Sequence, residues 1–114
     1  MIIFSCKNIT EEELVRCSFS LNKTEYNVLI FLLRKDSLFS IPQISKMMKL
    51  ERSTIQKAIK NLLSERLVKR TQNNLSKGGY IFLYKPNNKN EIKNRMREIT
   101  SRWYKKVEES IDKL

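Results

Sequence analysis

Arg52, Ser53, Thr54, Gln56 and Lys57 bring a guanidinium, two hydroxyls, an amide and an ammonium into one short stretch. Groups of this kind read the edges of bases. A guanidinium matches guanine bidentately, an amide matches adenine, and each good pair discriminates by about 1–3 kcal/mol. The same chain is poor in the groups that covalent chemistry needs. It has no His, and its only Asp residues, Asp36 and Asp112, lie outside the basic stretch around Arg52. A Ser-His-Asp triad, a His-dependent zinc site and a carboxylate-rich metal site all lack their residues. Cys6 and Cys17 form no CxxC and read as plain reduced thiols. No catalytic residue, metal site or cofactor is expected, and an enzyme is the least supported class.

The charge of the chain is concentrated around those candidate residues. The 114 residues hold 23 Lys+Arg against 12 Asp+Glu, a formal net charge of +11. Residues 1–45 carry five basic and five acidic groups, and so are neutral. Residues 46–89 carry eleven basic groups against Glu51 and Glu65, a surplus of nine. Residues 90–114 add seven against five. Nine like charges in one stretch repel each other unless a polyanion neutralises them. No apolar run is long enough to span a bilayer, and the apolar start at Met1 lacks the basic flank of a secretory signal. A cytoplasmic, nucleoid-associated protein is therefore expected.

Local signals define the elements that must hold Arg52 and its neighbours. Thr10 with Glu13 marks the start of a first helix, to about Ser18. Asn22 with Glu25 repeats the mark, and Tyr26, Leu29, Ile30 and Leu33 follow at helical spacing. Ser40 with Gln43, and Pro42 in the first turn, open a third helix in which Ile44, Met47 and Met48 face inward. After a turn at 49–51, Ile55, Ala58, Ile59, Leu62 and Leu63 form the apolar face of a fourth helix over about 52–65. Arg52, Ser53, Thr54, Gln56, Lys57 and Lys60 are left on its outer face. Residues 67–72 and 80–85 read as two strands around a seven-residue polar tip, 73–79. Tyr80, Phe82 and Tyr84 alternate there with Ile81 and Leu83, the pattern of a hairpin with one face on the core.

The last helix, about Lys89 to Lys113, is roughly 37 Å long. Ile92, Met96, Ile99, Trp103, Val107 and Ile111 recur along it at steps of three and four. A narrow stripe on a helix longer than its domain needs wants a second helix, and a homodimer is the simplest source.

This order is the plan of a winged helix-turn-helix, mainly α with a small β-hairpin wing. Residues 1–20 form an N-terminal helical arm, 21–86 the winged domain and 87–114 a dimerisation helix. The plan assigns Arg52, Ser53, Thr54, Gln56 and Lys57 to base edges in the major groove of double-stranded DNA. Lys46, Lys49 and Lys60 fall to phosphates. Lys69, Arg70 and Lys85 line the backbone from the strands, and Asn73, Asn74 and Lys77 form the wing tip, which takes the flanking backbone or minor groove. A symmetric dimer would present two recognition helices about 34 Å apart.

Residues 21–85 resemble the winged-helix domain of small MarR- and TrmB-type transcriptional regulators, many of them archaeal. The likeness rests on Leu21 and Glu25, on Ile41-Pro42-Gln43-Ile44-Ser45-Lys46, on Leu50-Glu51-Arg52-Ser53-Thr54-Ile55 and on Leu62-Leu63-Ser64-Glu65-Arg66-Leu67-Val68. It implies a sequence-specific, dimeric DNA-binding regulator. Two positions depart from it, because such domains often carry Gly where this chain has Lys49 and Arg66. A side chain in a left-handed conformation costs roughly 1 kcal/mol. Either the turn is built differently, or the helices run one residue longer. Two other readings share the same fold: a weakly specific architectural DNA-binding protein, and a module for RNA or protein contacts. No effector domain is expected in 114 residues, so a small-molecule effector, of unknown identity, would sit between helices at the dimer interface.

Overall fold

A computed structural model describes residues 1–114. In chain order the elements are β1 (Ile2–Ile3), β2 (Asn8–Ile9), α1 (Glu11–Phe19), α2 (Lys23–Lys35), α3 (Ile41–Met48), α4 (Arg52–Ser64), β3 (Val68–Asn74), β4 (Tyr80–Pro86) and α5 (Lys89–Asp112). They form two compact units, Asn22–Asn87, and Met1–Leu21 together with Asn88–Leu114. No helix is long and apolar enough to cross a membrane.

The first of these units is a winged helix-turn-helix. Asn22 and Ser40 close full capping boxes with Glu25 and Gln43, so α2 and α3 begin where the local signals place them. Val28, Leu29, Leu32, Ile44, Ile55, Ile59, Leu62 and Leu67 are almost fully buried. Each contributes on the order of 1.5–3 kcal/mol relative to exposure. α4 packs against both α2 and α3, and α2, α3 and α4 all reach the hairpin β3–β4. A third, one-residue strand completes that sheet: Phe39 and Tyr84 exchange both backbone hydrogen bonds, at 3.0 and 2.8 Å. Met47 departs from expectation and is exposed, because the inward stripe of the short α3 runs through half-buried Ile41, buried Ile44 and half-buried Met48.

The ends of these helices solve the problem raised by the missing glycines. Lys49 and Arg66 stand in the left-handed region at φ 58° and 57°, without a changed turn or a lengthened helix. Ser20 and Asp36 do the same after α1 and α2. Side-chain and backbone hydrogen bonds hold the two bends. The Ser45 hydroxyl donates to the Leu50 carbonyl, and the Leu50 amide donates to the Ser45 carbonyl at 3.1 Å. After α4, the Leu67 amide reaches the Leu62 carbonyl at 2.9 Å. The buried Asn87 amide donates to the Arg66 carbonyl at 2.9 Å.

The second unit holds α1 and α5 with a small N-terminal hairpin. Residues 2–9 are not helical. A tight turn in which Phe4 and Lys7 exchange backbone hydrogen bonds pairs Ile2 with Ile9 and Ile3 with Asn8. β-branched isoleucines favour the extended form over a short helix. At α1 only part of the expected box forms. The Glu13 amide donates to Thr10 Oγ1, but the Glu13 carboxylate takes the Thr10 hydroxyl instead of the backbone amide. α5 starts at Asn88, whose side chain accepts from the amides of Asn90 and Glu91. Its 24 residues extend roughly 36 Å.

Candidate nucleic-acid interface

The buried stripe of α4 decides what its other side presents. With Ile55, Ala58, Ile59 and Leu62 turned into the core, Arg52, Ser53, Gln56, Lys57 and Lys60 stand exposed and Thr54 half-buried. Thr54 and Lys57 border a shallow hollow with Asn22, Thr24 and Glu25 at the start of α2. These two therefore lie on the α2 flank of the helix. α4 is also the one helix of the five without a side-chain cap, since Glu51 makes no such hydrogen bond. Its first-turn amides and dipole form an end that favours anions.

Around α4 the exposed lysines and Arg52 have no close carboxylate partner. Lys46 and Lys49 are exposed on α3 and its turn. Lys46, Lys49, Arg52, Lys57, Lys60, Lys69, Lys77 and Lys85 form no ion pair. Close ion pairs join the Met1 amino terminus to Glu11 (3.7 Å), Lys7 to Glu13 (3.3 Å) and Arg16 to Glu12 (3.3 Å) in the N-terminal segment. There the Lys7 ammonium, by hydrogen bond and charge, holds the Glu13 carboxyl below its ordinary pKa, with the Thr10 contacts adding to the shift. No group of three or more His, Cys, Asp or Glu side chains is placed to hold a metal ion.

The wing is longer in its strands and shorter at its tip than the local signals imply. Asn73 and Asn74 pair with Ile81 and Tyr80 in the ladder, leaving a five-residue tip over 75–79. Gly78 and Gly79, at φ 91° and 79°, make the reversal themselves, and Leu75 closes it by hydrogen bonds with both. Asparagine is a weak strand former, but here the ladder supplies its backbone partners. In this register Lys69 stands directly opposite Lys85. Arg70 lies on the other face, its guanidinium 4.2 Å from the Phe82 ring centroid. The aromatic row does not pack uniformly on the core: Tyr84 is buried, Phe82 half-buried and Tyr80 exposed.

The stripe of α5 is similarly graded. Ile92 is already buried within one chain, Met96, Ile99 and Val107 are half-buried, and Trp103 (57% exposed) and Ile111 are open. Beside it Leu14, Met96, Thr100 and Tyr104 line an apolar groove rimmed by Lys93 and Arg97. Leu14, Tyr104 and the exposed Met1–Phe4 are not part of the periodic stripe and escape a sequence reading. The apolar start of the chain and the Trp103-Tyr104 pair were the available signals.

Known proteins share this sequence and architecture. Residues 8–97 match the family model described as "Methanogenesis regulatory protein FilR1, N-terminal domain". An uncharacterized protein of Methanocaldococcus jannaschii is 30% identical over 93% of this chain and 87% of its own. A possible transcriptional regulator from Methanosarcina mazei Go1 superimposes with a TM-score of 0.89 at 32% identity, covering 99% of this chain and 95% of that one. A variant of Staphylococcus aureus MepR bound to an oligodeoxyribonucleotide shares the fold alone, with a TM-score of 0.58 at 13% identity over 91% of this chain and 73% of that one. The family and the solved neighbours are regulators of winged-helix type and not enzymes. With the helix-turn-helix and wing, the cationic outer face and the family match in agreement, the chain belongs to the family of the FilR1 N-terminal domain, a winged-helix transcriptional-regulator family.

Proposed function

We propose that the protein is a homodimeric regulator that binds specific sequences in double-stranded DNA. α4 enters the major groove, where Arg52, Ser53, Thr54, Gln56 and Lys57 read base edges, Thr54 and Lys57 from the α2 side of the helix. Lys46, Lys49, Lys60, Lys69, Lys77 and Lys85 neutralise phosphates, with Asn73 and Asn74 on the wing beside the backbone or minor groove. The observation that carries this reading is the set of exposed cations on α3, α4 and the hairpin that have no carboxylate partner. An ordinary solvated face would mix both signs.

The α5 stripe supports the homodimer. Ile99 and Val107 lie four residues to either side of Trp103, so the exposed ridge is nearly symmetric about that residue. A two-fold interface requires a surface that complements itself. In this reading Met96, Ile99, Trp103, Val107 and Ile111 meet their counterparts, while Ile92 supports the helix from within its own chain. The protein would act in the cytoplasm, on the nucleoid.

Genomic footprinting combined with duplex binding at graded salt tests the proposal. Contact with six to ten phosphates lowers affinity by about 10³–10⁵-fold between 50 and 200 mM salt. Arg52→Ala and Gln56→Ala should relax sequence preference, and Lys77→Ala should weaken all duplexes alike. Identical behaviour of both sets would favour the architectural reading. Sedimentation of Trp103→Lys as a monomer, against a wild-type dimer, tests the interface.

A further inference from the structure

We infer that the wing also binds unpaired bases, with Tyr80 as a stacking platform for single-stranded nucleic acid. This site goes beyond duplex recognition and does not depend on it.

The aromatic row of β4 begins in the core and ends in solvent. Tyr84 is 5% exposed, while Tyr80, four residues earlier on the same face, is 56% exposed. Between them Phe82 is held from two sides. The Arg70 guanidinium lies 4.2 Å from its centroid, and the Tyr80 ring lies 5.3 Å away at a tilt of 59°. Arg70, Phe82 and Tyr80 thus form one continuous cation–aromatic–aromatic row. Tyr80 is steadied from behind by Phe82 and presents an open side to solvent.

The surroundings suit a nucleic-acid strand. Gln72 and Asn74 stand opposite Phe82 and Tyr80 in the ladder, and Gln72 Nε2 donates to Asn74 Oδ1 at 3.4 Å. Their remaining amide groups are within the wing's exposed face and can hydrogen-bond a base edge. No acid occurs between Glu65 and Glu91; Arg70 lies on the same face as Tyr80 and Lys77 in the adjoining tip, while Lys69 and Lys85 stand on the opposite face of the hairpin. An aromatic face beside a cationic track is the combination that holds single strands, and it needs no particular base because every base has a π-face. A paired base is already stacked on both sides and offers Tyr80 no face. The ligand is therefore a strand with unpaired bases, and deoxyribose and ribose forms share that chemistry.

The experiment uses the full chain with labelled 15-nucleotide oligo(dT) and oligo(rU) at low salt, and a mixed-sequence duplex in parallel. Tyr80→Ala should lower single-strand affinity by roughly 5- to 100-fold, the loss of one stacked base, and leave duplex affinity nearly unchanged. Tyr80→Phe and Tyr80→Trp should retain single-strand binding, since they keep the ring. Photocrosslinking with 5-bromodeoxyuridine in the strand should mark Tyr80. The two oligonucleotides tell which sugar is preferred. The inference is overturned if wild-type protein binds neither strand, if Tyr80→Ala binds them as wild type does, or if it loses strand and duplex by the same factor. Failure of the duplex reading is separate, because it appears as absent duplex binding with the single-strand arm intact.

Discussion

Lys69 and Lys85 face each other across the wing, directly paired in the antiparallel register of β3 and β4. Like charges in that position destabilise a hairpin, by a few tenths to about 1 kcal/mol. A phosphate between or beside them would reverse the sign. Lys85→Glu should therefore raise the denaturant midpoint of the free protein while lowering duplex affinity. Lys69→Ala and Lys85→Ala should each reduce the slope of log affinity against log salt by about 1. Unchanged slopes in both variants would remove the wing from the DNA interface.

Glu51 leaves α4 uncapped and puts a carboxylate at the edge of the cationic face. Glu51→Ser supplies a capping hydroxyl, which should stabilise the protein by about 0.5–2 kcal/mol. It also removes a charge that repels phosphate, so duplex binding should tighten at low salt. Equilibrium unfolding and binding at two salt concentrations measure both effects.

Lys49 and Arg66 hold left-handed conformations that glycine adopts without strain. Lys49→Gly and Arg66→Gly should each stabilise the fold by up to about 1 kcal/mol, after allowance for the greater freedom of glycine in the unfolded chain. Lys49→Gly should also lose one phosphate contact, read in the salt dependence. A fall in stability for both variants would show that Ser45 and Asn87 already relieve the strain.

Glu13 has its pKa lowered by the hydrogen bond and charge of Lys7. A carboxyl depressed in the folded state stabilises above its unfolded pKa, and that contribution is lost as pH falls through its folded pKa. Acid titration followed by NMR should show Glu13 protonating below the ordinary glutamate range, with its contact to Lys7 lost over the same pH range. Lys7→Ala should move the Glu13 midpoint up.

Much of the winged domain is legible along the chain. Asn22-to-Glu25 and Ser40-to-Gln43 spacings locate two helix starts because a cap is a contact between residues three apart. The outer face of α4 follows from the positions of Ile55, Ala58, Ile59 and Leu62, since 3.6-residue periodicity leaves Arg52, Gln56 and Lys57 no other side. Asn73 and Asn74 resist such reading. Their composition says turn, and the ladder overrides it. Asn87 looks like a strand breaker, yet it satisfies the Arg66 carbonyl 21 residues away.

Caps, helical faces and the run of unopposed cations are local or periodic properties, and the order of residues settles them wherever the chain folds. Three further features needed distant segments to arrive: the opposition of Lys69 to Lys85, the support of Arg66 by Asn87, and the gradient from buried Tyr84 to open Tyr80. Pairing register and burial are relations between residues far apart in the chain. The strand or core that each residue meets lies outside its own stretch of chain, so only the assembled fold decides them.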